Sequence, residues 1–324
     1  MWTPTGTRCA AAARCSPPRP PPRPGRTEAV PPAPAVASTP AAASAPTRPL
    51  PLFDHHIHSD MRNADDYELM AISGVLTALA PCSSSHEART TGQAFAARFD
   101  RLLDAETGRA AAYGVDLYVG LSVHAADMTD LDSALAGVEE LEKRLDHPRV
   151  KAIGEVSLRR LTREETAVLE AQLRLAARTG TPVMVETPPP AAAFTGMLPV
   201  LARAVERSGV DPALVAVMDL DEHKLGQVRA AGPLAECGGY GLAVSPRQDA
   251  LFAVREKITH REVTEILDRW GPDRLMLNTG FHFGSADPLG LAKTVHRLRL
   301  GGVPEPTVRA LAHGNAARFF DIPG

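Results

Sequence analysis

Aromatic residues make up only 5% of this 324-residue chain, and there are four cysteines. Cys9, Cys15, Cys82 and Cys237 have neither zinc-ribbon nor redox-motif spacing, so reduced thiols in a cytoplasmic protein are the simplest account of them. Nowhere do about 18 apolar residues run together, and the stretch from Cys9 to Cys15 is too short and too weakly apolar for a secretory signal, so no membrane span is expected. Positive charge is also lacking where a nucleic-acid partner would need it. The formal charge is −3, and residues 1–49 hold six Arg against one Glu, which leaves the remainder near −8. With no basic stripe and few aromatics, that acidic body argues against a nucleic acid and for a small-molecule partner.

What residues 1–49 do contain is proline, 13 of the chain's 29, with many alanines and almost no large aliphatics. Such a segment buries too little apolar surface to offset its ordering entropy, so it is expected to be disordered. A linker, an organelle-targeting leader and the product of an upstream start codon are all compatible with its composition. Residues 50–324 then form one domain of about 275 residues, the size of a TIM barrel.

From Leu52 onward, short apolar runs alternate with segments of helical period. Strands are expected at 52–58, 74–81, 117–124, 150–155, 182–186, 214–219, 239–244 and 274–278. Helices are expected at about 90–112, 130–145, 162–179 and 194–208, after Asp221, from about His260, and at 288–300 and 304–320. Thr162-Arg-Glu-Glu165 reads as a capping box opening the third of these. Eight β/α alternations predict an α/β fold, a TIM (β/α)8 barrel, because parallel strands need helical crossovers and bury both faces. An open doubly wound sheet is the alternative.

Phe53-Asp54-His55-His56-Ile57-His58 lies in the first strand, and strict alternation would put Asp54, His56 and His58 on one face and His55 and Ile57 on the other. Two imidazoles two residues apart can grip one cation. The chemistry of such barrels lies at the carboxyl ends of the strands. There Glu155, Glu186 and Asp219 end strands 4, 5 and 6, His124 lies near the end of strand 3, and His282 follows strand 8. A carboxylate at the rim of an apolar barrel needs a cation or a donor partner.

His56-x-His58, then Arg62 and Asp65-Asp66-Tyr67, Ile153-Gly-Glu155 and a closing Asn315-Ala-Ala-Arg-Phe319 together resemble the TatD-type metal-dependent hydrolases of the amidohydrolase superfamily, over about residues 52–322. The resemblance implies a TIM barrel binding one or two divalent cations. His56 and His58 would hold one metal and Glu155 would bridge. The family's second-metal histidines on strands 5 and 6 are replaced by Glu186, in Val185-Glu-Thr-Pro188, and by Asp219-Leu220. Its strand 8 Asp is missing from Asn278-Thr279-Gly280, where the nearest polar stand-in is His282. The opening His56-Ile-His58-Ser59 also resembles the polymerase-and-histidinol-phosphatase phosphoesterases, but Leu79-Ala-Pro-Cys82 stands where their Thr-Asp-His would be.

The expected ligands are therefore His56, His58, Glu155, Glu186 and Asp219. Glu186, Asp219 and His282 are the candidate proton acceptors, and Arg62 and His124 the candidate substrate contacts. Trading imidazole for carboxylate shifts preference toward Mn²⁺ or Mg²⁺, with Zn²⁺ still accommodated. The function expected is hydrolysis of a small-molecule ester, lactone, amide or phosphoester through a metal-activated water. The alternative is a catalytically lapsed barrel kept as a binding or scaffold protein.

Overall fold

The structure is a computed structural model that describes residues 50–84, 87–188, 191–245, 257–280 and 287–323. All of them belong to the compact unit Arg48–Gly324. Eight parallel strands follow one another in sequence order, β1 to β8: Leu52–Asp54, Val75–Pro81, Asp116–Leu121, Val150–Val156, Val183–Val185, Val215–Val217, Gly239–Ala243 and Leu275–Asn278. The helices between and after them are α1 (Ala64–Ile72), α2 (Gly92–Arg101), α3 (Thr107–Ala111), α4 (Leu131–Glu142), α5 (Arg163–Thr179), α6 (Ala191–Ser208), α7 (Glu222–Arg229), α8 (His260–Trp270), α9 (Gly290–Leu300), α10 (Glu305–Arg309) and α11 (Asn315–Phe319). This is the TIM barrel expected from the alternation. Among the described residues, no helix is long and apolar enough to cross a membrane.

Period-two alternation divides the strand residues between two apolar layers. Leu52, Val75, Leu117, Val119, Ile153, Val183, Val215 and Leu275 pack outward among the helices. Phe53, Leu79, Tyr118, Ala152, Met184, Ala216, Met218 and Met276 fill the interior. Room for the methionines comes from Gly239 and Gly241, where a Cβ would overlap Met276 and Met218. The inner layer is closed from one side by α11 and the residues after it, as Ala316, Ala317, Phe320 and Ile322 join it. Asn315 Nδ2 ties that helix to the start of β8 by donating to the carbonyls of Pro272 (2.9 Å) and Leu275 (2.7 Å). Covering this amino-terminal end leaves the carboxyl ends of the strands for chemistry.

Several local expectations need correction. β1 ends at Asp54, not at residue 58, and strict alternation fails beyond it. His55 stays with the inner layer, its ring centroid 6.1 Å from that of Phe53 and 5.7 Å from that of Phe320, while Ile57 joins the outer layer. The expected helices at 90–112 and 304–320 are each interrupted by a π-turn, Leu102–Glu106 and Ala310–Gly314. Glu165 does not complete a box on Thr162. Its carboxylate accepts the backbone N–H groups of Arg159, Arg160 and Leu161 at 2.9–3.0 Å, so it clasps the loop ahead of α5. Helix α1 has no counterpart in the sequence reading, although Asn63 and Asp66 form a reciprocal capping box at its start.

Candidate metal centre

His56, His58 and Glu155 meet at the carboxyl end of the barrel, with one ligand-capable atom from each lying within 4.8 Å of the others. All three side chains are fully buried. His56 Nε2 lies 3.2 Å from Glu155 Oε1, and His58 Nε2 lies 3.9 Å from Glu155 Oε2. Just past β1, the Ile57 N–H donates to the Leu79 carbonyl at 3.1 Å and the His58 carbonyl accepts from the Met61 N–H at 3.1 Å. Glu155 is fixed through its backbone: its N–H donates to the Cys82 carbonyl (3.1 Å), and its own carbonyl accepts from Ser122 Oγ (2.7 Å). Two imidazole nitrogens and a carboxylate oxygen, converging in a buried place and supported from behind, are a donor set that fits a divalent cation.

Asp219 stands on the other edge of the His56 ring, its Oδ1 3.8 Å from His56 Nδ1. Its backbone is left-handed, with φ at +56°, a conformation that aspartate tolerates better than most residues. Thr187 Oγ1 steadies it by donating to the carbonyls of Met218 (2.9 Å) and Asp219 (3.2 Å). Leu220 is buried and apolar. Glu186 is drawn to His124, Oε2 to Nε2 at 2.8 Å, with both side chains buried. Neither Asp219 nor Glu186 belongs to the tight His56–His58–Glu155 set.

The remaining candidates separate cleanly. Arg62 forms a two-point ion pair with Asp66 at the start of α1, 2.9 and 3.4 Å. His282 lies outside the described residues. Cys82 packs into the outer apolar layer, where burial pushes its thiol pKa up. Asp54 accepts from the Thr279 N–H and hydroxyl, and burial pushes its pKa up against that stabilisation. His55 is held neutral, its pKa pushed down to about 3 by burial and by neighbouring His56. The sequence reading missed the pairing of His124 with Glu186, because a contact between residues 62 apart leaves no mark on local spacing.

No protein-family model matches the chain. It is 27% identical over 274 residues to an uncharacterized metal-dependent hydrolase of Methanocaldococcus jannaschii, covering 84% of this chain and 100% of that protein. The TatD-like protein of Archaeoglobus fulgidus superposes with a TM-score of 0.64 at 21% identity, over 83% of this chain and 100% of that one. A phosphotriesterase homology protein of Escherichia coli, solved with phosphate in its active site, superposes with a TM-score of 0.58 at 16% identity, over 85% and 100%. The TIM-barrel fold is borne out by these structural likenesses, and the curated relative is, as the resemblance implies, named as a metal-dependent hydrolase.

Proposed function

We propose that this barrel binds a divalent cation through His56, His58 and Glu155 and hydrolyses a small-molecule ester, lactone, amide or phosphoester. The observation that carries the reading is the burial of two imidazoles and a carboxylate within 4.8 Å of one another at the end of the barrel where such folds do chemistry. The relative named as a metal-dependent hydrolase supports it, and the phosphate held by the Escherichia coli homologue supports including phosphoesters among the substrates.

A bound cation supplies a lowered pKa for water and polarises the scissile group. The imidazole nitrogens of His56 and His58 would offer lone pairs to it, and the Glu155 carboxylate would supply the negative charge that a buried cation requires. Asp219, beside His56, and Glu186 are the carboxylates proposed to move protons, with His282, the stand-in for the missing strand 8 Asp, as the further acid–base candidate. We further propose residues 50–324 as the catalytic domain, residues 1–49 as a separate segment, and the cytoplasm as its compartment.

The test is metal analysis of protein purified without chelator, followed by assays on p-nitrophenyl acetate, γ-butyrolactone and bis(p-nitrophenyl) phosphate. About one equivalent of cation is expected, together with turnover that a chelator abolishes and Mn²⁺ or Zn²⁺ restores. Metal far below one equivalent, with no response to added cation, would sink the reading and favour the lapsed barrel.

A further inference from the structure

β4, which carries Glu155, runs between β3 and β5, and two side chains from the segments that follow those strands meet across it. Leu121 of β3 lies beside Ile153, and Val185 of β5 lies beside Val156. Counted along the ladder, His124 and Glu186 therefore stand beyond Glu155 on the side of the mouth. Their contact, Nε2 to Oε2 at 2.8 Å, spans the strand that holds the carboxylate of the cation set.

The tautomer of His124 follows from its other edge. The Ala126 backbone N–H donates to Nδ1 at 3.1 Å, so Nδ1 carries a lone pair and the proton of the neutral ring is on Nε2. That N–H donates to the Glu186 carboxylate. The turn presenting His124 is itself tied to β4, because Ala125 N–H donates to Ser157 Oγ at 3.1 Å. A carboxylate held by a ring N–H whose orientation is fixed from behind has one preferred position.

We propose that Glu186, positioned by His124, is the proton acceptor of this site and stands outside the cation's ligand shell, so that the site holds one cation. This inference rests on the proposed hydrolase reading and deepens it. In the step assigned here, the O–H bond of the attacking water breaks and its proton passes to Glu186. The water oxygen forms a bond to the carbonyl carbon or phosphorus. As the bond to the leaving group breaks, the Glu186 carboxylic acid returns the proton to the departing oxygen or nitrogen. His124 is a positioning residue, and its ring keeps its own proton throughout.

Titrating Mn²⁺ and Zn²⁺ into the full-length chain by calorimetry tests this without a substrate. Wild type, Glu186→Gln and His124→Gln are each expected to bind one equivalent with Kd values within about threefold, whereas Glu155→Gln weakens binding by about 100-fold. ¹⁵N NMR of wild type is expected to show His124 protonated on Nε2 alone. On whichever assay substrate turns over, Glu186→Gln should lower kcat by about 10²- to 10⁴-fold with little change in KM. His124→Gln, which keeps an N–H donor, should retain more of kcat than His124→Leu. A second equivalent in wild type, or a loss of affinity in Glu186→Gln as large as that of Glu155→Gln, would place Glu186 in the ligand shell or a second cation in the site and overturn the proposal. Absence of any cation binding by wild type would instead overturn the hydrolase reading, a distinct outcome.

Discussion

Asp54 accepts both the backbone N–H and the hydroxyl of Thr279, at 3.0 and 2.6 Å, and so fastens β1 to the residue just past β8. The ladder runs from β1 to β8, and this side-chain clasp lies where its first and last strands meet. Both residues are buried. Asp54→Ala strands two buried donors and is expected to cost on the order of 3 kcal/mol in urea unfolding. Thr279→Val removes only the hydroxyl and should cost about 1 kcal/mol, with the double variant less destabilised than the sum of the two. Additive losses would mean that the clasp is not a single unit.

Arg62 offers a test of a different kind. Its ion pair with Asp66 is part-exposed, with side-chain accessibilities of 15% and 11%. Arg62→Ala should leave kcat/KM unchanged and lower stability by about 1 kcal/mol or less. A rise in KM for anionic substrates alone would restore the substrate clamp suggested by the sequence.

The far end of the barrel should be separable from its chemistry. Asn315→Ala deletes the two hydrogen bonds to Pro272 and Leu275 and leaves two carbonyls to find other partners. A loss of about 2 kcal/mol in denaturant unfolding is expected, with Mn²⁺ affinity unchanged. Altered cation binding in this variant would contradict the division of the barrel into a stabilising end and a reactive end.

Alkaline pH should unfold the protein through two buried acids. Burial pushes the Cys237 thiol from its ordinary 9.0 up to about 12 and the Tyr67 phenol from 10.0 to about 12. Because the folded pKa is the higher one, each group's contribution is complete below its unfolded value and is lost as pH rises toward 12. The expected slope is about 1.4 kcal/mol per pH unit for each group, beginning near pH 9 for Cys237 and near pH 10 for Tyr67. Unfolding free energies of Cys237→Ala and Tyr67→Phe measured from pH 8 to 11 should show flatter profiles, and slopes equal to wild type would exclude these groups as the source.

The barrel was legible because its signals are local. Valine-rich runs such as Val183-Met-Val185 and Val215-Ala-Val217, separated by segments of helical period, signal parallel strands. His56 and His58 were legible as a pair for the same reason, being two residues apart. Their partner Glu155 was reached through strand-end position and the resemblance, and the structure brings the three together. Less legible was everything that depends on which distant side chain arrives first. Glu186 read as a ligand or proton acceptor because it ends a strand; that His124 reaches it across β4 is a meeting no periodicity encodes. His55 read as the partner of Ile57 because alternation was carried past Asp54, where the ladder that enforces alternation has already ended. The ion pair of Arg62 with Asp66 was not legible because the helix it opens, α1, has no counterpart in the sequence reading.

The central claim is a cation held by His56, His58 and Glu155, and the most direct measurement is anomalous diffraction from crystals soaked in Mn²⁺ or Zn²⁺. A single strong peak is expected among His56, His58 and the Glu155 carboxylate, with His124 and Glu186 still paired beside it. No peak at those three residues, or a peak elsewhere in the barrel, would contradict the account.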